Sequence, residues 1–68
     1  MINDGQSYEN DQNIMILEKW ENDFRALILK KDGNEIRFSE LIVKPAAYIE
    51  KFINRMDLKL SNKKLILK

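Results

Sequence analysis

The chain has neither cysteine nor histidine, and only one proline and two glycines occur among its 68 residues. Without cysteine there are no disulfides and no thiolate ligands, and without histidine the commonest zinc ligand is missing. Gly5 and Gly33 lie too far apart to form a glycine-rich phosphate loop. These absences exclude disulfide scaffolds, the usual zinc sites and P-loop enzymes, so we expect no cofactor and no metal.

Long apolar runs are missing as well. The stretches Ile14–Leu17 and Ala26–Leu29 are far shorter than the roughly 20 apolar residues that a membrane span requires. Residues 1–13 are polar and acidic, whereas a secretory signal starts with basic residues and continues with an apolar stretch. We therefore expect a cytoplasmic protein without a membrane partner.

Hydrophobic residues make up 44% of the chain and charged residues 34%, which is the composition of a globular domain. A domain this short buries only about 60% of the surface that its unfolded chain exposes, so its stability is small. Small scaffolds often complete their core with a partner, and a homodimer is compatible with this composition.

The net charge of +1 conceals an asymmetry along the chain. Residues 1–23 carry six acidic side chains and one lysine, whereas residues 24–68 carry eleven basic side chains and five acidic ones. Segment 51–68 has six basic side chains against Asp57 alone. A basic segment is compatible with binding nucleic-acid phosphates. The low net charge favours the other interpretation, in which lysines solubilise a small domain and protect its strand edges.

Residues 1–13 show no apolar periodicity and predict a flexible, acidic and polar tail, which leaves 14–68 as a single small domain. Residues 14–31 allow two interpretations. As one helix, they place six apolar side chains on a common face, at spacings of three and four residues. These are Ile16, Leu17, Trp20, Phe24, Leu27 and Ile28.

As two strands, residues 14–31 break at the polar cluster Glu21–Asp23. A two-residue turn at Asp32-Gly33 then closes a hairpin of a favoured type. In that register Leu29 lies opposite Ile36, and Leu27 lies opposite Phe38. The consistent cross-strand pairing favours strands over the helix.

Beyond the turn, Glu35–Phe38 alternates as a strand that Leu41–Val43 continues past an irregularity at Ser39-Glu40. Pro45 suits the first residue of a helix, and an apolar stripe extends that helix to about Leu58. Residues 58–67 predict a C-terminal strand or hairpin. The fold class is therefore α+β: a small antiparallel sheet, with a hairpin around Asp32-Gly33, packed on one amphipathic helix over about 45–58.

Catalytic constellations are not apparent. The candidate carboxylate pairs, Glu18 with Glu21 and Glu35 with Glu40, are typical of solvated charges on amphipathic elements. Lysine in a charge-rich context lacks the burial that would make it a base. We do not expect an enzyme.

The run Phe24–Leu29, followed after Gly33 by Ile36–Leu41, resembles the first helix, short strand and second-helix start of winged helix-turn-helix transcription regulators. The resemblance implies, as the alternative fold, a truncated winged helix with Pro45–Met56 as recognition helix and Leu58–Leu67 as wing. It implies that the helix would face the groove and the wing would contact phosphate. The residues concerned are Lys51, Asn54 and Arg55 on the helix and Lys63 and Lys64 on the wing.

The sequence thus predicts a non-catalytic regulatory or inhibitory protein that acts by binding another macromolecule, with a protein as the favoured partner. Trp20, Phe24 and Arg37 are the predicted interface residues. For Trp20 the alternative is a core position at the rim of the sheet, which is favoured because tryptophan is highly buried on average. Nucleic-acid binding through segment 51–68 is the alternative. A homodimer is compatible with both.

Overall fold

The computed structural model describes residues 2–61. Five strands and one helix occur in this range, in the order β1 (Ser7–Glu9), β2 (Asn13–Trp20), β3 (Asp23–Asp32), β4 (Glu35–Lys44), α1 (Ala46–Met56) and β5 (Lys59–Ser61). The strands form one antiparallel sheet in the spatial order β4-β3-β2-β1-β5. The helix connects the two edges of the sheet. The predicted α+β class is confirmed.

Residues 14–31 form two strands, as the pairing argument favoured. The turn between them is Glu21-Asn22, and Glu21 has a left-handed backbone with φ +56°. The apolar residues that share a face on a helical projection are instead distributed over both faces of β2 and β3. Strand β3 also occupies residues 23–32, where the winged-helix alternative implies a helix.

The predicted hairpin register was wrong by two residues. The turn residues are Gly33-Asn34, and Leu29 lies opposite Phe38 rather than Ile36. Gly33 has φ +63° at the first central position, where type II′ hairpin turns place glycine. Side chains alternate with a period of two, so the two-residue error left each residue on its expected face.

The irregularity predicted at Ser39-Glu40 is a β-bulge. Glu40 lies opposite Ile28 and Phe38 lies opposite Leu29, which leaves Ser39 as the extra residue. The bulge reverses the alternation of β4, so its apolar side chains on both sides of the bulge share one face of the sheet. They are Ile36, Phe38, Leu41 and Val43.

The core lies between the helix and the other face of the sheet. Ile49 and Ile53 are the buried helix residues, and they pack against a cluster contributed mainly by β2 and β3. The sheet residues of this cluster are Met15, Leu17, Phe24, Ala26 and Ile28. Helix and sheet thus bury one face of each other, as a two-layer domain requires.

The predicted flexible tail over 1–13 was wrong for the residues described. Ile2 is buried in the core cluster, and Ser7–Glu9 forms β1 between β2 and β5. Gly5 donates its N–H to the carbonyl of Leu17 at 3.0 Å, which joins the segment to the sheet. A three-residue strand carries too few alternating positions for its periodicity to be read from sequence.

Helix α1 begins one residue later than predicted, with Pro45 as its N-cap in an extended conformation. It ends in a Schellman motif, in which the N–H of Leu58 donates to Ile53 at 3.0 Å and that of Asp57 donates to Asn54 at 3.2 Å. Asp57 has φ +54°, the left-handed conformation that this motif requires. Of the C-terminal strand or hairpin predicted over 58–67, β5 is observed, and residues 62–67 lie outside the described range.

Asp57→Gly should stabilise the fold, because glycine adopts the left-handed conformation without the steric penalty that other residues incur. The ion pair from Lys59 to Asp57 is exposed and contributes little. We expect a gain of about 0.5–1 kcal/mol, which raises the melting temperature by about 2–8 °C in a domain of this size. Thermal unfolding measures it. Asp57→Ala is the control, and an equal gain there would show that backbone strain is not the cause.

Candidate interaction surface

The sheet has a second face, opposite the helix, which we call the open face. It carries nine apolar side chains of β2, β3 and β4, placed there by strand alternation and the bulge. They are Ile14, Ile16, Trp20, Leu27, Leu29, Ile36, Phe38, Leu41 and Val43. Helix α1 contributes to the core on the other side of the sheet and covers none of them.

The open face is arranged in cross-strand rows. Ile14, Leu29 and Phe38 form one row, and Ile16, Leu27 and Leu41 form the next. Exposure rises along the first row from 4% at Ile14 and 6% at Leu29 to 66% at Phe38. The apolar surface is therefore most exposed at strand β4.

Strand β4 carries an unusual amount of exposed apolar surface. Ile36, Leu41 and Val43 are about half exposed, in addition to Phe38. Isolated exposed apolar side chains are common on soluble proteins, but contiguous ones mark interaction sites or aggregation-prone surfaces. Four such side chains on one strand form a contiguous stripe, so this stripe is the strongest candidate site in the described part of the chain.

Trp20 lies at one end of the open face. The guanidinium carbon of Arg25 is 4.5 Å from the centroid of the indole ring, within cation–π range. The same guanidinium donates to the carboxylate of Glu18, its cross-strand neighbour. Arg25 thus holds Trp20 against the sheet and leaves it 46% exposed.

A polar network lies at the other end of the open face. The ammonium group of Lys31 donates to Glu9 at 2.8 Å and to the carbonyl of Asn10 at 2.9 Å. The second carboxylate oxygen of Glu9 accepts a hydrogen bond from Ser61 at 2.8 Å. Strands β3, β1 and β5 are thereby linked. Paired charges at both ends frame the apolar centre of the open face.

No protein-family model, no curated protein and no solved structure matches this chain.

The three residues predicted for the protein interface lie apart. Trp20 lies on the open face. Phe24 is buried in the core at 6% exposure, with the Lys19 ammonium group 4.9 Å from its ring. The cause is strand alternation, which directs Phe24 toward the helix. Arg37 is exposed on the helix side of β4 and pairs with Asp32 and Glu35.

The predicted nucleic-acid contacts are only partly within the described range. Lys51, Asn54 and Arg55 are exposed on the outer surface of α1, and Arg55 lies 5.9 Å from the Phe52 ring. They lie on the far side of the molecule from the open face. Lys63 and Lys64 lie outside the described residues.

Sequence reasoning missed the exposed stripe on β4. It paired Ile36 and Phe38 with β3 but did not ask what covers the opposite face of the sheet. The sequence nevertheless contains a signal for this stripe. It shows one amphipathic helix, and a single helix covers only one of the two faces of a sheet. The apolar residues on both sides of Ser39-Glu40 then exceed what that face accommodates.

Within residues 2–61, no group of three or more acidic side chains is placed to hold a metal ion. A shallow surface depression is lined by Ile2, Tyr8, Glu50, Ile53 and Asn54, and its ionisable side chains are Glu50 and Tyr8. In the same range, no helix has the length and apolarity needed to cross a membrane.

Proposed function

We propose that this chain is a small, non-catalytic regulatory or inhibitory protein that acts by binding a partner protein through its open face. The observation that carries the proposal is the stripe of four exposed apolar side chains on β4, continuous with the buried rows of β2 and β3. A cysteine-free chain suits the reducing cytoplasm, where we place this role.

The chemistry of the open face favours a protein over a nucleic acid. Its centre is aliphatic and aromatic, and its rim holds Trp20 and Arg25, two residue types enriched at protein interfaces. The charged side chains at both ends are paired, Arg25 with Glu18 and Lys31 with Glu9. Phosphate binding requires basic side chains that are not already neutralised by carboxylates.

Nucleic-acid binding remains the second candidate, and it would use a different surface. Lys51, Asn54 and Arg55 are adjacent on the outer surface of α1, where all three are exposed. Binding there would weaken steeply with salt, because each phosphate contact releases counterions. The two candidates therefore differ in both surface and salt dependence.

The test is capture of partners from a cell lysate on the immobilised full-length chain, with and without nuclease. The tag is joined after Lys68 through a flexible linker, because Ile2 is buried. We expect a defined protein to survive nuclease treatment and to be lost by at least tenfold with Phe38→Lys, which places a charge in the exposed apolar stripe of β4. Leu60→Lys is the matched control, since Leu60 is similarly exposed but lies on β5.

The proposal fails if Phe38→Lys and Leu60→Lys retain the same protein equally. A second pattern also contradicts the proposal. In it, nuclease or moderate salt removes the captured material, and the double variant Lys51→Glu, Arg55→Glu abolishes capture. That pattern would assign nucleic-acid binding to the helix surface. Circular dichroism and thermal unfolding of each variant establish that the fold is retained.

A further inference from the structure

Strand β4 is an edge of the sheet and is ten residues long. Its inner side pairs with β3, and no described residue pairs with its outer side. A long edge strand with unpaired backbone groups is a template for another strand. Within residues 2–61, the opposite edge is formed by β5, which comprises three residues.

The pairing register shows which backbone groups of β4 point outward. In an antiparallel sheet successive residues bond alternately to the two neighbours. Lys31 donates its N–H to Gln12 on the β2 side at 2.8 Å, so the even-numbered residues of β3 bond to β4. The β4 residues opposite them point inward, which leaves four residues with outward N–H and C=O groups. These are Ile36, Phe38, Leu41 and Val43.

The bulge restricts what can pair with this edge. Outward residues are spaced by two on each side of the bulge but by three across it, from Phe38 to Leu41, because Ser39 is inserted. A regular strand has outward residues spaced by two throughout and loses register at the bulge. A partner strand with an equivalent bulge keeps register on both sides.

We propose that this partner strand is β4 of a second copy of the chain, paired antiparallel over residues 35–44 about a two-fold axis between Ser39 and Glu40. The inference rests on the proposed interaction role and adds a specific partner to it. In this register the two bulges coincide, Ile36 lies opposite Val43 of the second copy, and Phe38 lies opposite its Leu41. Each pair occurs twice, as two-fold symmetry requires.

Side-chain chemistry agrees with the same register. All four apolar residues meet on the open face, where the two stripes join. On the helix side, Glu35 lies opposite Lys44 of the second copy, so two opposite-charge pairs form across the new interface. A shift of two residues in either direction places Phe38 or Leu41 opposite a bulge residue and separates these charges.

The test uses the purified full-length chain and sedimentation velocity over a range of concentrations. We expect a dimer of twice the 8.1-kDa chain mass. Glu35→Lys and Lys44→Glu each place like charges opposite each other and should weaken the dimer about tenfold. The double variant E35K/K44E restores the pairs and should recover most of the affinity. Both side chains lie on the helix side of β4, so these variants leave the open face unchanged.

Crosslinking adds an independent readout. The chain has no cysteine, so Ser39→Cys introduces a single thiol beside the proposed axis. A short bis-maleimide should link it into dimers, whereas Asn54→Cys on the helix should remain monomeric. A monomer at all concentrations up to about 100 μM overturns the dimer, and failure of E35K/K44E to recover affinity overturns the register. Phe38 belongs to both surfaces, so lysate capture is repeated with Glu35→Lys, which weakens the dimer but leaves the open face unchanged; capture that is retained there and lost with Phe38→Lys tests the proposed function separately from the dimer.

Discussion

Ile49→Ala is expected to destabilise the fold by about 3 kcal/mol, within the range of 2–5 kcal/mol for truncating a buried isoleucine to alanine. Ile49 is fully buried where α1 meets the sheet, among the residues of the core cluster. Only Ile49 and Ile53 are buried on the described helix, so few neighbours can close the cavity. A domain of this length has a total stability of about 3–10 kcal/mol. The variant should therefore be substantially unfolded near 37 °C.

Urea denaturation at one low protein concentration measures the loss as a shift of the midpoint at constant slope. Low concentration matters because association would stabilise the folded state by mass action. Tyr48→Ala is the matched control, since Tyr48 is adjacent in sequence and exposed, and we expect a loss below about 1 kcal/mol. Similar losses at Tyr48 and Ile49 would contradict the assigned helix face.

Deletion of residues 2–10 is expected to abolish cooperative folding. It removes Ile2 from the core and β1 from the sheet, and β1 is the strand that joins β5 to β2. It also removes the Asn10 side chain, whose amide donates to the carbonyl of Met56 at the end of the helix at 2.8 Å. The free energy of unfolding of a small domain is only a few kcal/mol, so the loss of a strand together with a core residue exceeds it.

Near-ultraviolet circular dichroism and thermal unfolding of the deletion variant provide the measurement. Ile2→Ala in the full-length chain isolates the core contribution and should cost about 2–4 kcal/mol. Asp11→Ala, at an exposed bend, should remain within about 0.5 kcal/mol of the parent chain. If the deletion variant melts cooperatively within a few degrees of the parent, residues 2–10 act as the expendable tail that composition predicts.

Several features of the fold could be predicted because they depend on local chemistry. The helix was evident from Pro45 and the stripe that includes Ile49 and Ile53, since helical periodicity over three turns is a strong signal. The polar break at Glu21–Asp23 and the glycine at position 33 favoured two strands over residues 14–31, but the helical interpretation stayed open. The site was predicted less well: of three interface residues, Trp20 lies on the open face, Phe24 is buried and Arg37 lies on the helix side of β4.

The sequence by itself determined the helix over about 45–58, the missing cysteine and histidine chemistry, and a preference for strands over residues 14–31. Tertiary structure alone decided that β1 lies inside the sheet, that the hairpin turn is Gly33-Asn34, and that Ile36 and Val43 emerge on the same face. The physical reason is the sequence separation of the interacting residues. Turn and helix preferences are set by neighbours along the chain, whereas a bulge, an edge and an uncovered face exist only once distant strands have paired.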